Sequence, residues 1–242
     1  MKNFLPGTAL LCFALLSCTT EAIQSGATEQ TLNANQAFVS RQGLGDATPA
    51  NTQNPYDFAG AAQNELLDLY LDGNYSYSSI EEVSEKVALL AVQHYALDGQ
   101  DTPPTISQEQ IAAILTNPSG ALGAIGTSPT LSAPAATGFS EFMVTLDAAQ
   151  DATFEELYSL IIAYETTVIN NPDYSSADKE VILTSTSIAR YTIYYRKKRK
   201  DRDWDTSVGN IVAGASGAEE NTISAVSMAV VTGISINNGI TQ

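Results

Sequence analysis

The chain has 242 residues, 44% of them hydrophobic and 16% charged, and carries a formal net charge of -16. That apolar content suffices for one sizeable core and excludes disorder throughout, while the acidic excess opposes approach to nucleic acid or any other polyanion. Both cysteines, Cys12 and Cys18, lie within the first eighteen residues, so no disulfide framework serves the body.

Residues 1–17 read as a signal peptide. Lys2 supplies the positive start, and the mostly apolar run from Phe4 to Leu16 falls short of the ~20 residues a spanning helix needs. The segment ends in Leu15-Leu16-Ser17-Cys18, which resembles the lipobox of bacterial lipoproteins. An aliphatic residue stands three before the cysteine, a small residue stands just before it, and the cysteine sulfur takes a diacylglycerol before cleavage. Leu16 is tolerated at the second position of that pattern without being its commonest choice, and bulky Leu11 disqualifies Cys12. The resemblance implies a mature protein that begins at Cys18 with acyl chains, such as palmitate, on its thiol and α-amine. Two or three chains then hold it to a membrane, each buried methylene contributing ~0.8 kcal/mol. By the same analogy Thr19, where some lipoproteins carry an inner-membrane aspartate, points to the outer membrane of the cell envelope. Loss of residues 1–17 removes Lys2 and no acid, so the tethered body is more negative still.

Residues 18–53 are rich in Thr, Ala, Asn, Gln and Gly without a sustained apolar period. They read as a flexible linker whose end-to-end distance as a coil is roughly 30–35 Å.

From Asn54 to the C-terminus, residues 54–242, helix signals follow one another. Residues 61–71 put Leu66, Leu67, Tyr70 and Leu71 on one face and stop at Asp72-Gly73-Asn74. Ser79 with Glu82 makes a capping box ahead of a helix carrying Val83, Val87, Leu90 and His94 at helical spacing, and Ser107 with Gln110 repeats the device before a helix that Asn117-Pro118 ends. The small, proline-punctuated residues 118–137 predict a long surface loop, and 139–150 a short helix. Thr153 with Glu156 opens the next helix, closed by Asn171-Pro172, and Ser175 with Asp178 opens a long segment running to Lys200. Within it VILTSTSI would also suit a strand. The sum is an all-α bundle of about six or seven helices.

The last segment carries Gly209, Ala213, Gly217, Asn221, Ala225, Ala229 and Gly233 at every fourth position. On a helix that spacing makes a stripe of small side chains for close backbone packing, against the chain's own bundle or a partner. Glu219-Glu220 breaks the apolar run too early for a membrane span.

NPYDFAGAAQNELLDLYL, residues 54–71, with a later aromatic-then-tryptophan segment and a Gly/Ala-rich tail, resembles a group of small helical lipoproteins or secreted proteins of Bacteroidetes. Their pattern is NPYD-x-x-G-x-x-H-N. Asn54, Pro55, Tyr56, Asp57, Gly60 and Asn64 match, and Gln63 stands where histidine is frequent. The resemblance implies an envelope location and brings no activity.

Catalytic and metal sites find little support in the sequence. His94 is the single histidine, with no cysteine near it for a zinc set, and reads as a hydrogen-bonded core residue. Gly214-Ala215-Ser216-Gly217-Ala218 lacks the second glycine of a nucleophile elbow. Asp201, Asp203 and Asp205 alternate like a calcium loop, but Thr206 and Val212 stand where glycine and glutamate are required; Asp72-Gly73-Asn74 fails the same test with Tyr77 and Val83. Capping and turn formation explain these acids better, and no metal or cofactor is expected.

The run Arg196, Lys197, Lys198, Arg199, Lys200 and Arg202 stands out in so acidic a chain. At the end of a helix these cations favour the dipole by ~0.3–1 kcal/mol each and pair with acids of the body. The other reading is a contact patch for anionic lipid or an acidic protein surface. Nucleic acid is not expected of an exported protein. The functional expectation is therefore a lipid-anchored, non-enzymatic interaction or scaffolding module, with an envelope hydrolase using paired carboxylates as the alternative.

Overall fold

The computed structural model describes residues 48–95, 103–125, 130–199 and 204–240. Among them the chain forms nine α-helices and no strand. They are α1 (Phe58–Asp72), α2 (Ile80–Tyr95), α3 (Gln108–Thr116), α4 (Pro118–Ile125), α5 (Ala133–Ala148), α6 (Phe154–Asn170), α7 (Ser176–Arg199), α8 (Trp204–Ala218) and α9 (Thr222–Asn237). None is long and apolar enough to cross a membrane.

The helix starts follow the capping residues. Thr153 and Glu156 make a full reciprocal box at α6, and Ser175 and Asp178 make another at α7, with Ser175 Oγ accepting from Asp178 N at 3.1 Å and Asp178 Oδ2 from Ser175 N at 2.9 Å. At α2 the device slips by one residue, because Glu82 reaches back to the N–H of Ser78 while Ser79 Oγ caps Glu82. Asn74, with φ of 51°, makes the left-handed turn after α1.

Two expectations need correction. Residues 118–137 are mostly helical: Asn117 Oδ1 accepts from Gly120 N at 2.9 Å, and Pro118, whose missing N–H costs nothing in a first turn, opens α4. Asn117-Pro118 thus ends one helix and starts the next. The C-terminal small-residue segment is likewise two helices. The chain turns at Glu219-Glu220, and Asn221 Oδ1 caps α9 by accepting from Ser224 N at 2.8 Å. The folded-back halves press Gly217 so tightly on α9 that a β-carbon there would lie 2.6 Å from Ser224 O and 2.7 Å from Ala225 Cα. Gly209 and Gly233 also face the opposite helix, toward Ile236 and Asn210 respectively.

The alternative strand over VILTSTSI is a helix because of its position. It lies within α7, which packs against α1, α6, α8 and α9, and residues 181–190 are all buried. A helix surrounded on every side does not need an amphipathic pattern. Some of its hydroxyls bond locally, as Ser185 Oγ does to Val181 O at 2.6 Å, and others bond across the bundle, as Ser187 Oγ does to Asp57 O at 2.8 Å. At its N-terminus buried Asp178 accepts from Ser132 N (2.7 Å), Ser132 Oγ (3.0 Å), Ser175 N and Ser175 Oγ (2.8 Å), tying the start of α5 to α7. Burial pushes this carboxyl up, but the bonds from Ser132 and Ser175 outweigh it and hold it below the usual carboxylate range.

Candidate functional site

The NPYD segment is built into an ionic clasp inside the bundle. Arg190 of α7 is fully buried; its Nε donates to Glu165 Oε1 of α6 at 3.1 Å and one terminal nitrogen donates to Asp57 Oδ1 at 2.6 Å. The other terminal nitrogen donates to the carbonyl of Pro49. Glu165, also fully buried, accepts in addition from Asn51 Nδ2 (2.6 Å), Asn54 Nδ2 (2.9 Å) and Thr186 Oγ1 (2.8 Å). Tyr158 Oη closes the far side by donating to Ala50 O at 2.8 Å. The residues from Pro49 to Asp57 therefore form a strap across α6 and α7. Residues 49–53, expected to belong to the flexible linker, are thus part of the folded body, because their carbonyls and amides bond Tyr158 and the buried Arg190 and Glu165. Gly60 lets α1 sit flush behind it, its N–H donating to Ser187 Oγ at 3.0 Å; a β-carbon there would lie 2.3 Å from the Tyr191 ring.

The structure brings the carboxylates of Glu165 and Asp57 to one place, and both are paired with Arg190. Two anions share one guanidinium, and neutral amide and hydroxyl donors meet the remaining charge. Such a cluster ties the strap to α6 and α7.

A pocket of about 180 Å³ opens on the other side of α1, where α1, the end of α7, α8 and α9 converge. Its interior polar groups are Gln63, Thr192, Thr206, Ser207 and Asn210, all more than nine-tenths buried. Helix α9 supplies an apolar wall of Ala229, Val230, Gly233 and Ile234, while Asn64, Tyr195 and Arg196 stand at half-buried positions around the opening. A β-carbon at Gly233 would lie 2.6 Å from Asn210 Oδ1, so the carboxamide would have to shift to admit one. Among the described lining residues there is no carboxylate, imidazole or thiol.

Three features singled out in the sequence meet in this pocket: Gln63-Asn64 from the NPYD segment, Arg196 from the basic run, and Ala229 and Gly233 from the small-residue stripe. Lys197 turns away from it, pairing with Glu155 of α6 and lying 5.1 Å from the centre of the Phe154 ring. Its ammonium holds the Glu155 carboxyl below the usual range. Lys198 and Arg199 end α7, and their side chains lie outside the described residues, as do Lys200, Arg202, Asp201, Asp203 and the lipobox residue Cys18. His94 is not in the core: it is half-exposed on α2, with Nε2 3.0 Å from Glu65 Oε1, because Val83, Val87 and Ala91 take the buried face. Ser216 lies within α8, away from any strand-to-helix turn, and Asp72-Gly73-Asn74 ends α1. Among the described residues no group of three or more His, Cys, Asp or Glu is placed to hold a metal ion.

Arg190, Glu165 and Asn210 escaped the sequence reading. Their signal was a lone charge or amide inside an apolar helical run, as in SIARYTI and IIAYETTVI. No family model, curated protein or solved structure matches the chain.

Proposed function

We propose that this chain is a lipid-anchored protein of the bacterial outer membrane that acts by non-enzymatic binding, with Cys18 as its anchor and the α1/α7/α8/α9 pocket as its recognition site. The observation that carries the binding reading is the pocket's lining. Hydroxyls, carboxamides and one guanidinium can orient a ligand, but they hold no nucleophile paired with a base. The clasp supports the same reading, because its two carboxylates, Glu165 and Asp57, are paired with Arg190.

Two measurements test this. Intact mass of protein extracted from membranes should show an N-terminal Cys18 with attached acyl mass, and Cys18→Ser should release the protein from the outer-membrane fraction; an intact Met1 without lipid overturns the anchor. A thermal-shift screen of small amino acids, sugars, nucleosides and peptides should find compounds that raise the melting temperature and are recovered unaltered. Turnover of a bound compound, or no binding from any class, overturns the binding reading.

A further inference from the structure

We infer that the pocket takes a small carboxylate whose adjacent carbon carries an O–H or N–H donor: a hydroxy acid or an amino acid, free or as the C-terminal residue of a peptide. The inference rests on the reading of this pocket as a binding site and names what it binds.

Helix ends give the pocket its polarity. Thr206 and Ser207 bring the first turn of α8 into the lining, and Asn237 with Asn238 brings the end of α9. A helix start carries positive partial charge and bonds anions, whereas a helix end carries negative partial charge and accepts from donors. A ligand with an anionic group for α8 and a donor for α9 meets both. Arg196 stands at the opening; it is engaged with another group, and the polarity between the two helix ends exists without it. Whatever charge it leaves favours an anion as well. Tyr195 Oη donates to exposed Asp68 at 2.6 Å, outside the lining.

Unused carboxamides are an independent sign of a ligand. Asn210, only 6% exposed and one turn beyond Thr206 on α8, lines the pocket, and among the described residues no hydrogen bond uses either end of its carboxamide. Gln63 is 1% exposed and accepts at Oε1 from Thr192 Oγ1 at 3.5 Å, so its NH₂ group is what it offers a ligand. Asn64 Oδ1, like Asn210 Oδ1, is buried without a partner. Polar groups left unmet in the interior cost stability. A carboxylate accepts from the two NH₂ groups, and a donor on the neighbouring carbon serves the asparagine oxygens. A ligand with acceptors alone leaves those oxygens unmet, and one without negative charge makes no use of the helix start. Size agrees: a cavity of about 150 Å³ admits benzene, so one of about 180 Å³ admits a molecule of about six non-hydrogen atoms. Leu67 and Leu71 of α1, with Val230 and Ile234 of α9, receive a short aliphatic side chain.

The test uses the full mature chain in a neutral detergent, with binding followed by saturation-transfer NMR and calorimetry. The probes are glycolate, glycine, and both enantiomers of lactate and alanine; N-acetylalanine and dialanine distinguish a peptide's C-terminal residue from a free acid. Lactamide and alaninamide lack the carboxylate, and propionate lacks the donor. At least one probe should bind saturably, with its amide and propionate each weaker by about tenfold or more. The isosteric Asn210→Asp places a like charge beside the ligand and should weaken binding by about tenfold or more at about pH 8, with the circular dichroism spectrum unchanged. Unchanged affinity in that folded variant overturns the assignment. If Asn210→Asp fails to fold, the comparison of acid with amide in the unaltered chain decides. Equal or tighter binding of the amide, or of propionate, overturns the assignment as well. Should compounds of another class bind while every small acid fails, the ligand class is refuted and the pocket stands as a binding site; silence from every class refutes both.

Discussion

Replacing Arg190 by methionine removes the cation from the clasp and keeps much of its volume. The side chain it replaces is fully buried and holds Glu165, Asp57 and the Pro49 carbonyl at once. Asp57 is 20% exposed and recovers part of its hydration, whereas Glu165 is 0% exposed and keeps only the neutral donors of Asn51, Asn54 and Thr186. Breaking a buried pair by removing one partner costs ~3–5 kcal/mol, because the remaining charge is uncompensated. We therefore expect a loss of about 4 kcal/mol, a large part of the ~5–15 kcal/mol that stabilises an ordinary domain. In urea, with a slope of about 2.5 kcal/mol per molar, the midpoint of the circular dichroism transition should fall by about 1.5 M. Adding Glu165→Gln in the same chain removes the stranded charge and should return about 1–2 kcal/mol. A loss below about 1 kcal/mol in Arg190→Met, or a double variant weaker than the single one, would refute the view that electrostatics hold this strap.

Asp178→Asn should cost about 1–3 kcal/mol at neutral pH, since the buried carboxylate accepts four bonds from Ser132 and Ser175. Its folded value is lowered, so the stability it contributes is present above the ordinary carboxylate value of ~3.9 and is lost as pH falls through the lower folded value; urea midpoints of wild type and variant should converge below about pH 4. Gly217→Ala should destabilise by more than Gly209→Ala, by about 1–3 kcal/mol in thermal melts. The added carbon meets the α9 backbone at 2.6–2.7 Å in the first case, and in the second the near atom, at 2.5 Å, is the movable tip of Ile236.

Much of the helical class was legible because caps act locally. Ser107, Thr153 and Ser175 each bond a backbone N–H three residues on, so the sequence window that contains the device contains its effect. Asn117-Pro118 was harder, since a proline that ends one helix is also favoured at the first position of another, and only packing decides between them. The split into α8 and α9 was half visible: Glu219-Glu220 marked an interruption, but fourfold spacing of small residues is the same whether they lie along one helix or face each other across two. The clasp could not be read at all. Its members lie up to 141 residues apart, from Pro49 to Arg190, and each alone is an ordinary polar residue in a helical segment or a turn. The pocket was hidden for the same reason, although three of its contributors had each drawn notice for other causes.

The strap also sets how a pull on the chain from its N-terminal side is borne. Tension arriving at Pro49 does not peel α1 from the outside. It passes through the guanidinium of Arg190 into α7, whose residues 181–190 are all buried, and through Asn51 and Asn54 into α6. A pull from that side therefore loads several bonds of the core at once, instead of one exposed helix end.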